Sequence, residues 1–308
     1  MARYIVKRFV STIITLFLIG TLTFVLMNSI PGGPFTSERQ LPPEIEAALM
    51  EKYGLDQPLW KQYITYFSNL AQGDMGISIK HKGVKVNDII AQSFPVSAKV
   101  GVVAVFVILI LGIPIGIISA LKQNTLTDHL VMVIATVGIA VPSFVVGTFI
   151  MYIFGEKLRW IPAGGLNEWK SYIGPVIALG GFSIAFVTRL MRSSMLEVLR
   201  QDYIRTAKAN GLSNRSVIGK HALKNALIPV VTYVGPMIAS ILTGSFVVEK
   251  IFAIPGLGKY FVESITNRDY TVIMSITLFF AALYVVMVFL VDIAYAVIDP
   301  RIKQGVKS

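Results

Sequence analysis

Residues 100–121 read VGVVAVFVILILGIPIGIISAL, a run of 22 residues without a charged side chain. A helix needs about 20 mainly apolar residues to cross a bilayer core of roughly 30 Å. Backbone polar groups in hydrocarbon must pair within their own segment, which favours a helix over an isolated strand. This run therefore predicts a membrane-spanning helix.

Five more charge-free runs flank it, at residues 9–30, 130–155, 171–188, 225–248 and 270–291. The shortest has 18 residues and the longest 26, so all are long enough to span. The composition agrees, because 54% of the residues are hydrophobic and only 15% are charged, against about 25% charged in a soluble domain. We therefore predict an all-α membrane protein with six transmembrane helices, and the composition excludes a disordered chain.

The placement of Lys and Arg predicts the orientation. With a cytoplasmic N-terminus, the inner side carries 15 Lys and Arg against 4 Asp and Glu, and the outer side carries 13 against 12. Because inner flanks of spans are enriched in basic residues, both termini are predicted to be cytoplasmic. The excess also suits an anionic lipid bilayer. No separate basic domain supports nucleic-acid binding.

These spans divide the chain into three regions. Residues 1–30 hold the cytoplasmic N-terminus and the first span, residues 31–99 form a long extracytoplasmic segment, and residues 100–308 form the core with five spans. Aromatic side chains in the outer segment fit either a docking surface or lid, or a folded cap with its own apolar patch: Trp60, Tyr63, Tyr66 and Phe67. Within the core, residues 189–224 form a long cytoplasmic loop.

Proline and glycine interrupt several spans, at Gly112, Pro114, Gly116, Pro142, Gly174, Pro175, Pro229, Gly235 and Pro236. Such breaks are tolerated where neighbouring helices or a water-lined cavity satisfy the freed carbonyls. Gly112 and Gly116 also have the spacing that allows two helices to approach closely. The set indicates a bundle that bends or rearranges.

Catalytic and metal-binding classes are disfavoured. There is no cysteine, and His81, His129 and His221 lie in predicted loops without a metal-spaced partner. No GxxxxGK[ST] phosphate-binding loop occurs. We predict no catalytic residue, no cofactor and no metal site.

Ionisable groups are scarce within the spans. Asp292 is the single one, near the predicted cytoplasmic end, where a structural pair with Arg or Lys is favoured over an ion pathway. An ion-coupled secondary transporter usually shows more intramembrane acids or inverted repeats, so that class is disfavoured.

The loop at 189–224 reads as helical. One face recurs every four residues, at Met195, Leu199, Tyr203, Ala207 and Gly211. Gly211 suits a helix C-terminus and Ser213 suits the N-cap of a second helix. The small residues on this face permit close approach of another protein, and a helix lying on the lipid surface is about equally supported.

Residues 203–213, YIRTAKANGLS, followed by residues 221–229, HALKNALIP, resemble the EAA loop of ABC-importer permeases in its peptide-permease form. Ala207 matches the last alanine of that signature and Gly211 its glycine, whereas Arg205 and Thr206 stand where the general signature has Glu and Ala. In that family the loop is a coupling helix seated in a cleft of the ATPase subunit. The resemblance therefore implies ATPase-coupling roles for Tyr203, Ile204, Arg205, Ala207, Lys208 and Gly211.

Other stretches resemble the B-type subunit of oligopeptide and dipeptide permeases: residues 53–58, 73–78, 141–144, 160–165, 249–258, 268–270, Asp292 and 299–301. This resemblance implies a type I importer permease fold in a bacterial plasma membrane, with ATP hydrolysis in partner subunits. The implied partners are a homologous second permease, two ATP-binding subunits, an extracytoplasmic substrate-binding protein and a peptide substrate. Three alternatives stay open: import of nickel chelates or another small solute, ion-coupled transport, and a non-transporting scaffold.

Overall fold

A computed structural model describes residues 2–29, 33–35, 42–243 and 246–298. Within these residues the regular structure is helical, apart from one isolated antiparallel bridge between Ile77 and Lys85. Four helices are each long and apolar enough to cross a membrane, and two bent helix pairs bring the number to six. The all-α membrane fold predicted from the charge-free runs is thereby confirmed.

The first half of the chain contains α1 (Ala2–Ser29), α2 (Pro43–Lys52), α3 (Leu59–Ala71), α4 (Val86–Leu121), α5 (Leu126–Ala140) and α6 (Ser143–Ile150). A π-helical segment, Met151–Lys157, extends α6, and a 3-10 turn at Trp169–Tyr172 precedes α7 (Ile173–Leu199). The second half contains α8 (Asp202–Ala209), α9 (Asn214–Ser216), a π-helical segment at Val217–Ala222, α10 (Leu223–Ala226), α11 (Ile228–Leu242), α12 (Phe246–Ile251), α13 (Leu257–Asn267) and α14 (Tyr270–Ile298). The continuous spans lie in α1, α4, α7 and α14.

Helices α4 and α7 pack closely together. A Cβ atom added at Gly112 would lie 2.9 Å from Val187 Cγ1, and one at Gly116 would lie 2.6 Å from the carbonyl oxygen of Thr188. The Thr188 hydroxyl also donates a hydrogen bond to the Gly112 carbonyl at 3.3 Å. The close helix approach predicted from the spacing of the two glycines is therefore present, and it fixes α4 against α7.

The third and fifth spans are bent. Helices α5 and α6 meet at 101°, with Pro142 at the N-cap of α6, because proline has no N–H with which to continue the α5 ladder. The helical stretch at residues 214–226 meets α11 at 49°, and Pro229 stands in the first turn of α11. The interruptions predicted at Pro142 and Pro229 are present. The sequence did not predict the two angles, which come from the structure.

The outer segment forms a cap on α1 and α14. Tyr63 lies with its ring centroid 5.3 Å from that of Phe24 in α1, and its hydroxyl is 2.7 Å from that of Thr21. Tyr63 and Tyr66 pack on a buried cluster of Phe24, Met27 and Met274. Trp60, in contrast, is 65% exposed. Phe67 packs on Tyr63, with 4.6 Å between the ring centroids. Three of the four aromatic residues noted in the sequence, Tyr63, Tyr66 and Phe67, therefore belong to a folded cap.

The cap continues into the fourth helix without a break. Helix α4 begins at Val86, so the predicted boundary between residues 99 and 100 lies inside it. Two features noted in the sequence lie outside what the structure describes: the side chain of Asp292 and residues 299–301.

Two buried carboxylates connect elements at the predicted outer end. Asp269 caps α14 and accepts hydrogen bonds from the Ser78 hydroxyl at 2.5 Å and from the backbone N–H groups of Ile79, Lys80 and Val272 at 3.2, 3.1 and 3.3 Å. Glu249 accepts from the N–H of Gly258 at 2.9 Å. Asp269 therefore pins a loop to the N-terminus of α14, and Glu249 pins α12 to the N-terminus of α13.

Candidate functional site

The loop between α7 and α11 carries the residues to which the sequence assigned coupling. Helix α7 ends at Leu199, and the chain turns through Arg200 and an extended Gln201 (φ −70°, ψ 149°) before α8 begins. The prediction of one continuous helical face from Met195 to Gly211 is therefore wrong. A spacing of four residues across a two-residue break does not keep side chains on one face.

Helix α8 is closed at its C-terminus by a glycine motif. Gly211 has φ +79°, its N–H bonds to the Lys208 carbonyl at 3.0 Å, and the N–H of Leu212 bonds to the Ala207 carbonyl at 3.3 Å. These are the two bonds of a Schellman motif, which needs a left-handed residue and so favours glycine. The predicted helix end at Gly211 is present. So is the predicted N-cap, because the Ser213 hydroxyl accepts from the N–H of Ser216 at 3.4 Å.

One face of α8 is anchored inside this chain. Ile204 is 0% and Ala207 7% exposed, and both belong to the buried cluster that contains Met195 of α7 and Val217 and Ala222 of the π-helical segment. Two of the six residues proposed for coupling thus hold α8 against the rest of the chain.

The other face of α8 is open. Tyr203 is 41% exposed, and Arg205, Lys208 and Gly211 are exposed as well. The Tyr203 hydroxyl accepts a hydrogen bond from the Asn225 side chain at 2.8 Å, which fixes the ring at the edge of this face. Arg205 lies 3.3 Å from the Asp202 carboxylate, but exposed pairs of this kind contribute little. The open face is polar and basic.

The sequence analysis did not predict an ion pair that lies next to this loop. Asp128, in the first turn of α5, is 1% exposed and accepts two hydrogen bonds from Arg192 of α7, at 2.6 Å from Nε and 2.7 Å from Nη2. It also accepts from the Ser119 hydroxyl at 2.5 Å and the Asn124 N–H at 2.9 Å. The forked geometry is the strongest form of Arg–carboxylate contact. It joins the turn between α4 and α5 to the end of α7 that leads into α8.

The sequence held a partial signal for this pair. Asp128 and Arg192 each stand within a few residues of a charge-free run, where a charge must find water or a partner. Because the two are 64 residues apart, no periodicity links them.

Comparisons with known proteins agree on a single family. A sequence model of the binding-protein-dependent transport system inner membrane component matches residues 112–304, and a model of the N-terminal part of such membrane components matches residues 1–101. The chain is 49% identical to the dipeptide transport system permease protein DppB of Bacillus subtilis over the whole of both chains. It is 47% identical to the oligopeptide transport system permease protein OppB of Escherichia coli, over 98% of this chain and 100% of that protein.

Solved structures show the same fold. An inward-facing structure of the MetNI methionine ABC transporter aligns with a TM-score of 0.56 at 15% identity, covering 68% of this chain and 96% of the other. A second inward-facing structure of MetNI aligns with a TM-score of 0.57 at 14% identity. At these identities the likeness shows a shared fold.

Proposed function

We propose, from the premise that this chain belongs to the family of inner membrane components of binding-protein-dependent transport systems, that it is a permease subunit of an ATP-binding-cassette importer of oligopeptides or dipeptides. The peptide substrate is supported by the names of the relatives, which are dipeptide and oligopeptide permeases with 43–49% identity across nearly the full chain. The chain is a multi-pass membrane protein, and its role is to form half of the path by which the peptide crosses the membrane.

The proposed assembly has four kinds of partner. A homologous second permease supplies the other half of the path, two ATP-binding subunits hydrolyse ATP, and an extracytoplasmic binding protein delivers the peptide. The 31–99 segment faces that binding protein, and the 189–224 loop faces the ATPases. The permease itself carries out no catalysis in this scheme.

The observation that carries the proposal is the two-sided character of α8. Ile204 and Ala207 bury one face in the permease, while Tyr203, Arg205 and Lys208 leave a polar face open on the predicted cytoplasmic side. A helix that is rigid against its own chain and open to a partner transmits force between them. Membrane insertion is disfavoured for this face, because Tyr203 is the one large exposed ring of the described α8 and it stands beside the charged Arg205 and Lys208.

The same contacts define what moves with α8. Its buried face joins the cluster around Met195 in α7, α7 is packed on α4 through Gly112 and Gly116, and Asp128 ties the α4–α5 turn to Arg192. We propose that closure of the ATPases displaces α8 together with the inner ends of α4, α5 and α7. The bends at Pro142 and before α11 are then the points at which the third and fifth spans change direction.

Charge reversal on the open face tests coupling. In the assembled transporter, R205E combined with K208E is expected to lower the ATPase rate stimulated by peptide-loaded binding protein by about tenfold, since reversing the charge of a basic face places like charges opposite a complementary partner surface and suppresses association. K220E is the control, because Lys220 is exposed in the same loop but lies on the π-helical segment. Equal ATPase rates in the two variants would contradict the coupling role.

Two further variants separate anchoring from contact. Ala207→Arg places a guanidinium in the buried face and is expected to release α8 from the permease, measured as protease cleavage between residues 200 and 213. Gly211→Trp requires a large side chain at φ +79° and is expected to disturb the end of α8 while Ile204 stays buried. Both should uncouple ATP hydrolysis from uptake, and only Ala207→Arg should increase cleavage.

Uptake assays test the substrate and the dependence on partners. Proteoliposomes with the complete transporter should accumulate a labelled dipeptide in competition with unlabelled peptides and without competition from a nickel chelate. Vesicles with this permease alone should show no uptake. Uptake by the permease alone would favour ion-coupled transport, and competition by the chelate alone would assign the family's other substrate.

A further inference from the structure

Two pockets adjoin each other where the third span ends and the fourth begins. The first, the polar pocket, has a volume of about 510 Å³, and the second, the apolar groove, has a volume of about 350 Å³. Both volumes lie within the range of about 300–1,000 Å³ that is typical of small-molecule sites. Trp160, Ile161 and Lys170 line both pockets, so the two form one depression.

The two pockets differ in chemistry. The polar pocket is lined by two acidic and two basic side chains: Glu156, Arg159, Glu168 and Lys170. The apolar groove is lined mainly by aliphatic and aromatic side chains, among them Ile150, Phe154, Ile173 and Ile177. A ligand that fills both pockets therefore needs a charged part and an apolar part.

The depression crosses the boundary between hydrocarbon and water. The four groove residues lie inside the charge-free runs 130–155 and 171–188, and the four charged residues lie just beyond the ends of those runs, on the predicted outer side. Trp160 and Trp169 are 65% and 71% exposed, and tryptophan is enriched at the level of the lipid headgroups. The polar pocket is therefore placed among headgroups and the groove among acyl chains.

The wall between the pockets is fixed by backbone hydrogen bonds. The N–H of Trp160 donates to the Phe154 carbonyl at 2.8 Å, and the N–H of Gly165 donates to the Phe252 carbonyl at 2.9 Å. The Trp160 ring also packs on that of Phe154, with 5.6 Å between centroids. The depression is thus formed before any ligand enters it.

The charges of the polar pocket are not paired with each other. Among the residues that the structure describes, none of its four charged groups forms an ion pair, and the Lys170 ammonium lies 6.0 Å from the ring centroid of Trp169. A simple anion in this pocket would meet two carboxylates, and a simple cation would meet a guanidinium and an ammonium. A ligand that carries both signs of charge satisfies all four groups.

We propose that the polar pocket and the apolar groove together bind one zwitterionic phospholipid of the phosphatidylethanolamine class. Arg159 and Lys170 donate hydrogen bonds to the phosphate. The carboxylates of Glu156 and Glu168 accept hydrogen bonds from the primary ammonium. An acyl chain lies in the groove, where apolar surface leaves water. The bound lipid joins the outer end of the third span to the start of α7.

Lipid titration of the purified full-length permease, followed by native mass spectrometry, tests the phosphate contacts. R159G combined with K170Q should bind phosphatidylethanolamine about tenfold more weakly than the wild type, since charge-assisted hydrogen bonds are lost. Arg159 has φ +53°, which glycine adopts without strain, so R159G keeps the turn. K157Q is the control, because the Lys157 ammonium lies 4.8 Å from the ring centroid of Tyr152, outside the pocket lining. Equal weakening by K157Q would refute the site.

Headgroup selectivity tests the carboxylates. The wild type should prefer phosphatidylethanolamine to phosphatidylglycerol, which has the phosphate and lacks the ammonium. E156Q combined with E168Q should reverse this preference, because the remaining guanidinium and ammonium attract an anionic lipid. A misfolded variant cannot produce such a gain of binding. A wild type that prefers phosphatidylglycerol, or an unchanged preference in the variant, would overturn the proposal.

Photo-cross-linking tests the groove in membranes that contain the assembled transporter. Phosphatidylethanolamine with a diazirine on its acyl chain should label residues 150–177 of the wild type. I177W places a larger side chain in the groove and should reduce this labelling, whereas I134W, at an exposed position of α5, should leave it unchanged. Equal labelling in the two variants would contradict an acyl chain in the groove. Absence of labelling at residues 150–177 would mean that another subunit covers this face, and the proposal would then fail.

Discussion

The two ends of the helix bundle hold their buried carboxylates in different ways. At the predicted cytoplasmic end, Asp128 is paired with the Arg192 guanidinium by two hydrogen bonds of 2.6 and 2.7 Å. At the outer end, Asp269 and Glu249 are held by backbone N–H groups and serine hydroxyls. The inner end thus uses opposite charges and the outer end uses oriented dipoles.

This difference has a mechanical meaning. The Asp128–Arg192 pair ties the first turn of α5 to α7, and the two helices also pack where Gly138 faces Ala185, so we expect their inner ends to move together. Asp269 instead fixes the loop at residues 78–80 on the first turn of α14, and Glu249 joins α12 to the first turn of α13, which keeps the outer surface in shape. This difference agrees with the proposed function, in which ATPase subunits displace the inner end while the outer surface keeps its shape.

The largest effect is expected from breaking the inner pair. D128N leaves the Arg192 charge without its partner in a largely buried site and should lower the stability of the permease by about 3 kcal/mol. Thermal unfolding of the purified protein in detergent measures the loss. D202N is the control: it alters a pair that is exposed on both sides and should change stability by less than about 0.5 kcal/mol.

A second variant keeps this test informative. Replacing both partners, D128L with R192M, removes the unpaired charge and should recover much of the stability lost in D128N. It should also weaken the coupling of ATP hydrolysis to uptake, because the ionic tie between the first turn of α5 and α7 is gone. Full coupling in the double variant would show that the pair has no mechanical role.

At the outer end, D269A removes the acceptor for the Ser78 hydroxyl and three backbone N–H groups. The expected loss is about 2 kcal/mol, since buried donors are left without a partner. Hydrogen exchange should accelerate locally, at residues 76–86, while α4 and α7 stay protected. D74A is the control, because the Asp74 carboxylate is exposed and accepts only a local bond from Gly76. Uniform acceleration over the chain would argue against a local pin.

The spans could be predicted from the sequence because few backbone conformations satisfy their own hydrogen bonds in hydrocarbon. Runs such as 100–121 predict helices, and Gly211 and Ser213 predicted the local ends of α8 and the next helix because capping depends on neighbouring residues alone. Pro142 predicted a break, but the angle of 101° is set by packing between distant helices. The helix ends, which depend on neighbouring residues, could thus be predicted from the sequence, whereas the angle between helices could not.

The candidate site was visible only in part for the same reason. The stretch at 203–211 stood out by its pattern, but which face of α8 is buried depends on the π-helical segment at Val217–Ala222 that folds back onto it. The rings of Phe186 in α7 and Tyr233 in α11 lie 4.4 Å apart between centroids, and no spacing along the chain relates the two residues. Contacts between remote segments carry this information.

The smallest expected effect concerns pH at the outer end. Burial raises the pKa of Glu249 above its ordinary value of 4.5, and bonds from Ser97 and from the N–H groups of Gly258 and Lys259 oppose this only in part. Above pH 4.5 the unfolded chain releases this proton while the folded protein still holds it, so stability falls as pH rises and levels off above the folded-state pKa. An acid held by a cation would show the opposite sign.

E249Q cannot titrate, so the stability of the wild type relative to E249Q should decrease from pH 4.5 upward in thermal unfolding. E263Q is the matched control, because Glu263 lies partly exposed beside Lys259 and outside the buried site that holds Glu249. A difference between wild type and E249Q that grows with pH would mean that Glu249 is held by charge, as Asp128 is. The contrast between the two ends would then disappear, because both would depend on ion pairs and both would weaken in acid.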